Sequence, residues 1–359
     1  MKIGILGTSQ VGKTTLFDLL SLSGGISKSS EIRTESHIGI IKVPDPRLNQ
    51  LAAMFQPKKV VSATIQYQDM APLRRGAGKE NRELLGQLRQ VDALLEVIRC
   101  FEDPRIPHSE GSLDPRRDVR FIHDELVLAD LEVIEKRLEK IDLDYKRGKK
   151  EEKEREFPTL KLCQDQLGAG NPLRDLEMPE EAWPLLRGYQ LLTAKPLILL
   201  LNLGEDQWAK REEFHKEYED LAKDRRTVLV EACAKLELEI CQLGQEEQSE
   251  FMQECGILEL GLSRMIRTSY ELLGLISFFT YMGEEVRAWT LPRGSSALKA
   301  AGMIHTDLER GFIRAEVIHF SDLAACGSLA AARKKGLLRL EGKDYLVQDG
   351  DVIAVRFHV

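Results

Sequence analysis

The segment Gly7-Thr8-Ser9-Gln10-Val11-Gly12-Lys13-Thr14 restricts what this chain can become more than any other. It matches the phosphate-binding pattern GxxxxGK[ST] in full, and that pattern works only as a turn between a strand and a helix. The flanks agree. Ile3-Gly4-Ile5-Leu6 is a short apolar strand, and residues 13–22 have helical character. Glycine at 7 and 12 lets the backbone curl so that its N–H groups converge on an anion. Lys13 then supplies a cation for the β- and γ-phosphates of a nucleoside triphosphate, ATP or GTP. Thr14 offers a hydroxyl to Mg²⁺, and Ser9, Gln10, Val11 and Thr15 complete the loop. Such a loop belongs to a doubly wound, mostly parallel α/β sheet, whose ligand sits at the carboxyl ends of the strands.

The remaining pattern supports that sheet. Residues 38–43, 63–68, 93–98, 197–201 and 227–230 read as strands, with a short helix at 47–55, a loop at 76–81 and a helix at 82–90. Between about 118 and 190 the character changes. Leu131, Ile134, Leu138 and Ile141 recur at 3-4-3 spacing among charges, the signature of a coiled-coil-like helix. The charge run 145–155 reads as the solvated tip of a helical hairpin, with RNA contact as the sharper alternative, and 159–167 returns antiparallel. From about 275 onward, short strands at 277–280, 286–290, 315–318 and 352–357 alternate with turns, as in a small mixed domain with one or two helices.

Apart from Thr34, each candidate ligand residue follows an expected strand. Asp69 ends the 63–68 strand, where a Walker-B-type aspartate would hold Mg²⁺. Thr34, in the polar loop before the second strand, is a candidate switch threonine for Mg²⁺ and the γ-phosphate. Asn202-Leu203-Gly204-Glu205 follows the 197–201 strand, where G-proteins carry Asn-Lys-x-Asp. Glu205 is one methylene longer than that aspartate and Leu203 lacks the lysine stem, so guanine loses paired hydrogen bonds and adenine becomes the expected base. Cys233-Ala234-Lys235 is the second base-side loop, with Cys233 expected to be a buried small residue.

Composition excludes several classes. The six cysteines show no CxxC pairing, which argues for reduced thiols in a cytoplasmic protein rather than a disulfide frame or zinc site. The formal net charge is −7, so nucleic-acid binding would need a local basic surface. Lys299, His305, Arg310, Arg314 and 333–335 are candidates for one, diluted by Asp307, Glu309 and Glu316. The longest apolar run, 196–201, is far short of the roughly 20 residues of a membrane helix.

Longer blocks resemble the YchF subfamily of Obg-like, translation-factor-class P-loop NTPases across essentially the whole chain. They include Val43-Pro44-Asp45-Pro46-Arg47-Leu48, Pro57-Lys58-Lys59-Val60-Val61, Val97-Ile98-Arg99-Cys100-Phe101-Glu102-Asp103, Val286-Arg287-Ala288-Trp289-Thr290 and Ala300-Ala301-Gly302-Met303-Ile304-His305-Thr306-Asp307. The resemblance implies a P-loop G-domain over 1–120 and 191–274, a helical coiled-coil insertion over 121–190, and a C-terminal α+β TGS domain, β-grasp-like, over 275–359. It further implies a slow ATPase preferring ATP over GTP, associated with the ribosome or RNA through the TGS domain and hairpin, with no membrane or DNA partner. Leu73 occupies the position where Ras-like enzymes carry a water-orienting glutamine, so no catalytic side chain is assigned there. One departure stands out. The family reads Asp-x-Ala-Gly-Leu where this chain has Asp69-Met70-Ala71-Pro72-Leu73. Proline has no N–H to offer a γ-phosphate, so weak discrimination between tri- and diphosphate is expected. The alternative reading is a nucleotide-binding scaffold with little or no hydrolysis.

Overall fold

A computed structural model describes residues 1–23, 38–146, 156–179 and 181–358. The strands are β1 (Lys2–Leu6), β2 (Ile38–Lys42), β3 (Lys59–Val61), β4 (Thr64–Asp69), β5 (Ala93–Arg99), β6 (Leu197–Asn202), β7 (Thr227–Ala232), β8 (Leu275–Met282), β9 (Glu285–Pro292), β10 (Phe312–His319), β11 (Arg339–Glu341) and β12 (Asp351–Phe357). They form two six-stranded sheets. The chain divides into two compact units, Met1–Ile40 with Gln66–Met265, and Ile41–Ile65 with Ile266–Val359.

The first sheet runs in the order β2-β4-β1-β5-β6-β7. β1 pairs parallel with β4 and β5, β5 with β6, and β6 with β7. Every residue of β5 and β6 is buried, as expected where helices cover both faces of a parallel sheet. The chain fills one side of β1 with β4 and β2, then crosses to β5, β6 and β7. That reversal is the switch point where an open α/β sheet leaves a crevice. The register brings the carboxyl ends level: Ile5 lies beside Asp69, Leu6 beside Glu96, and Asn202 between Arg99 and Ala232. Helix α1 (Lys13–Ser23) leaves the turn after β1, and α2 (Pro46–Phe55) follows β2. Helix α3 (Gly78–Leu88) begins four residues before the expected 82, inside the segment read as a loop; the Asn81 N–H already bonds the Ala77 carbonyl.

Helices α4 (Pro115–Lys146, 32 residues) and α5 (Glu156–Gly168) form the expected antiparallel hairpin. Ile134, Leu138 and Ile141 pack with Leu160, Cys163 and Leu167 in a separate apolar cluster, and Leu131 lies at its edge. Most of the charge run, 147–155, lies outside the described residues. A buried carboxylate ties α4 to the sheet. Asp130, with no exposed surface, accepts hydrogen bonds from the backbone N–H of Leu192 (3.0 Å) and Thr193 (2.7 Å), the Thr193 hydroxyl (2.8 Å) and Arg89 (2.8 Å).

The second sheet runs β11-β10-β12-β8-β9-β3. Its edge strand β3 comes from the early chain, and Lys59, Val60 and Val61 pair parallel with Glu285, Val286 and Arg287. The early segment is secured again at α2. Asp45 caps the helix by accepting from the Arg47 N–H, and the Arg47 guanidinium reaches Asp349 at 2.7 Å and lies over the Phe279 ring. Residues 41–65 therefore belong with the C-terminal unit, whereas the sequence placed them with the P-loop half. Four short helices among the described residues, Ala297–Ile304, Thr306–Arg310, Phe320–Cys326 and Leu329–Lys334, complete this unit, more than the one or two expected. His305 caps one of them by accepting from the Asp307 N–H, and Glu316 pairs with both Arg333 and Arg356. The basic residues expected there are partly neutralised. Among the described residues, no helix is long and apolar enough to cross a membrane, and no acidic, cysteine and histidine cluster could hold a metal ion. All six cysteines are free thiols.

Candidate nucleotide site

The turn after β1 is held in its shape by glycine geometry. Gly7 and Gly12 have φ of +154° and +96°, which side-chain-bearing residues rarely adopt. A Cβ at Gly7 would stand 2.8 Å from the Val97 carbonyl oxygen, and one at Gly12 would stand 2.3 Å from Asn202 Nδ2. Gln10 is also left-handed, at φ +61°, a strained position for a residue other than glycine. The Lys13 ammonium folds back over the loop, donating to the carbonyls of Gly7 (3.1 Å) and Thr8 (2.9 Å). Burial pushes its pKa down to about 8, opposed by Asp69 and reinforced by Arg74, so the amine is still mainly protonated at neutral pH.

A cavity of about 840 Å³ opens above the turn. Residues 9–15 line it together with Asp69, Met70, Ala71, Pro72, Arg74, Phe101 and Ile106. Thr14 and Asp69 thus face one space, and hydroxyl plus carboxylate is a hard oxygen set that suits Mg²⁺. Thr34 lies outside the described residues. Leu73 is 1% exposed, and its N–H bonds the Gly7 carbonyl at 3.1 Å, so its side chain belongs to the core.

The base-side candidates do not line this cavity. They gather around Asn202, which is 4% exposed. Its Nδ2 donates to the Val11 carbonyl (2.9 Å), and its Oδ1 accepts from the Ala234 N–H (3.1 Å). One side chain thereby joins the phosphate loop to the loop after β7. Glu205 is paired with Lys235 at 2.6 Å. Cys233 is 1% exposed, with its thiol pushed up to about 11 by burial, as its small-residue reading expected. The buried Glu237 holds this loop from below, accepting from the N–H groups of Cys233, Gly261 and Leu262. Leu203 is 2% exposed and packs in the core, because its N–H continues the strand pairing to the Ala232 carbonyl. It presents no side chain to a ligand.

Sequence reasoning missed Arg74, Phe101 and Ile106. Phe101 lay inside a recognised block but carried no motif chemistry, and Arg74 is one of two adjacent arginines in a loop, with nothing local to say which faces the cavity.

Residues 275–358 match the family described as YchF-GTPase_C, protein of unknown function (DUF933). The chain is 41% identical over 365 residues to the ribosome-binding ATPase YchF of Bacillus subtilis (strain 168), covering 99% of each protein. It is 39% identical over 362 residues to the protein of the same name from Escherichia coli O157:H7, covering 100% of this chain and 99% of that one. The solved structure of the Schizosaccharomyces pombe YchF GTPase superposes with a TM-score of 0.89 at 30% identity, covering 99% of this chain and 97% of that one. Similarity of this extent, running through both units, makes this chain a member of the YchF family.

Proposed function

We propose that this protein is a slow, nucleotide-switched ATPase that works in association with the ribosome. The observation that carries the reading is one cavity lined by the P-loop, including Lys13 and Thr14, together with Asp69. In this reading the amides of residues 9–15 and Lys13 hold the phosphates. Thr14 and Asp69 would hold Mg²⁺, whose charge would offset that of the phosphates. Asn202 keeps the phosphate loop in register with the base-side loop, where the backbone of 233–235 meets the base. Adenine is favoured because Lys235 already engages the Glu205 carboxylate, which leaves it poorly placed to accept from guanine. ATP is cleaved by water to ADP and phosphate, slowly, because no side chain at position 73 orients the water. Its relatives' names supply the ribosome as partner, and the C-terminal unit and helical hairpin are the surfaces we assign to it.

A second reading, a nucleotide-binding scaffold with little hydrolysis, is favoured by Pro72 and by the burial of Leu73. Titration of the purified chain with ATP, ADP, GTP and GDP in Mg²⁺ tests the first part. ATP should bind more tightly than GTP, and the reverse order would refute the base assignment. Single-turnover hydrolysis with and without ribosomes separates the two readings: the switch predicts acceleration by ribosomes, and the scaffold predicts no turnover in either case.

A further inference from the structure

We propose that Arg74 is the group that reads the third phosphate, its guanidinium taking the place that a backbone N–H after Asp69 would otherwise fill. The inference rests on the cavity being the nucleotide site. It begins with the amides of that segment. The Met70 N–H is bonded to the Ile5 carbonyl (3.2 Å), Pro72 has none, the Leu73 N–H is bonded to Gly7 (3.1 Å), and the Arg74 N–H is bonded to Asn81 Oδ1 (3.2 Å). Among the described residues only the Ala71 N–H of this segment is left without a bond, and a single neutral N–H is a weak handle on a polyanionic triphosphate compared with a forked, permanently charged guanidinium.

Arg74 is placed to act. It lines the same cavity as Lys13 and Asp69, and its charge is felt at the Lys13 amine. Among the described residues its guanidinium has no ion-pair partner. Its backbone is gripped at two points by the buried Asn81, which accepts from the Arg74 N–H and donates to its carbonyl (2.9 Å) while also bonding Glu125 (2.9 Å). The backbone of this exposed residue is therefore fixed before any ligand arrives, and only its side chain remains to be ordered on binding. Arg75 serves as the contrast. It pairs with Glu110 at 3.3 Å and lies over the Phe121 ring, so its charge is already used. Two cations against one carboxylate leave the cavity wall net positive, as a phosphate tail requires. Pro72 offers no N–H to a γ-phosphate. Arg74 supplies the donor instead, and the weak tri- versus diphosphate discrimination expected from the proline alone is reversed.

The test is calorimetric titration of the full chain with a non-hydrolysable ATP analogue and with ADP, both in Mg²⁺. Wild type should favour the triphosphate. Arg74→Ala should lower triphosphate affinity by about ten- to a hundredfold, the scale of a charge-assisted contact, while ADP affinity stays within about threefold. Arg74→Lys should recover part of the difference, because the charge remains and the fork is lost. Arg75→Ala should leave the ratio unchanged. An unchanged ratio of the two affinities in Arg74→Ala overturns the proposal while leaving the nucleotide site standing. Failure of the wild-type chain to bind either nucleotide removes the site reading, and this inference with it.

Discussion

Replacing Asn202 by alanine should damage stability and nucleotide binding together. The side chain is 4% exposed and makes two hydrogen bonds to backbone groups, Nδ2 to the Val11 carbonyl at 2.9 Å and Oδ1 from the Ala234 N–H at 3.1 Å. Alanine leaves a buried acceptor and a buried donor without partners. Each such loss amounts to about 1–3 kcal/mol, so the pair amounts to about 2–6 kcal/mol. That is a large part of a total stability of roughly 5–15 kcal/mol. The second consequence is local. Val11 sits inside the phosphate loop, and its carbonyl direction fixes the neighbouring peptide planes. Freed from Asn202, those amides lose their shared aim, and affinity for ATP and ADP should fall together by about tenfold or more, or about 1.4 kcal/mol and upward. The ratio of the two affinities should not change, which distinguishes this variant from Arg74→Ala. Asn202→Asp keeps the acceptor for Ala234 but turns a carboxylate oxygen towards the Val11 carbonyl, so it should be at least as harmful. Urea unfolding gives the stability change from the midpoint at constant slope. A loss below about 0.5 kcal/mol, the size of an ordinary surface substitution, or unaltered nucleotide affinity, would refute the view that this side chain braces the site.

Two further outcomes follow from buried carboxylates. Glu96 is 2% exposed in the middle of β5, and burial pushes its pKa up to about 8, with Arg174 opposing and Asp118 adding to the shift. The folded state then holds a proton that the unfolded state has released. Stability is full below about pH 4.5, falls as pH rises, and is lost by up to about 5 kcal/mol once pH exceeds 8. Glu96→Gln should flatten that slope, and a wild-type midpoint that does not fall between pH 5 and 8 would contradict the assignment. Asp130→Ala removes the acceptor of four hydrogen bonds, one of them from Arg89. Leaving that guanidinium and the Leu192 and Thr193 amides without it should cost about 3–5 kcal/mol, and hydrogen exchange should reveal faster opening of α4 and α5 than of the parallel sheet.

The phosphate loop was legible because all its determinants are consecutive. Two glycines, a lysine and a threonine between a strand and a helix admit few shapes, and the structure puts Gly7 and Gly12 at backbone angles that explain them. The hairpin was legible for a related reason, since the spacing of Leu131, Ile134, Leu138 and Ile141 is a local record of one buried face. The start of α3 was misread because Gly78 and its polar neighbours carry turn chemistry, and the helix is secured there by Asn81 and by packing of Leu84, Leu85 and Leu88. The burial of Leu203 could not be read from the sequence, because a motif compares residues by position and says nothing about which way a side chain points after its strand ends.

By itself, then, the amino-acid order determined the P-loop, the strand-helix alternation and the apolar face of the hairpin, all set by residues within a turn or two of one another. The tertiary structure alone decided three things. It paired Lys59–Val61 with β9 and so assigned residues 41–65 to the C-terminal unit. It gave Asn202 two partners, one of them 191 positions away. It turned Arg74, and not Arg75, to the cavity that holds Lys13 and Asp69. Each depends on which segments the hydrophobic core brings side by side, and no short-range pattern records that.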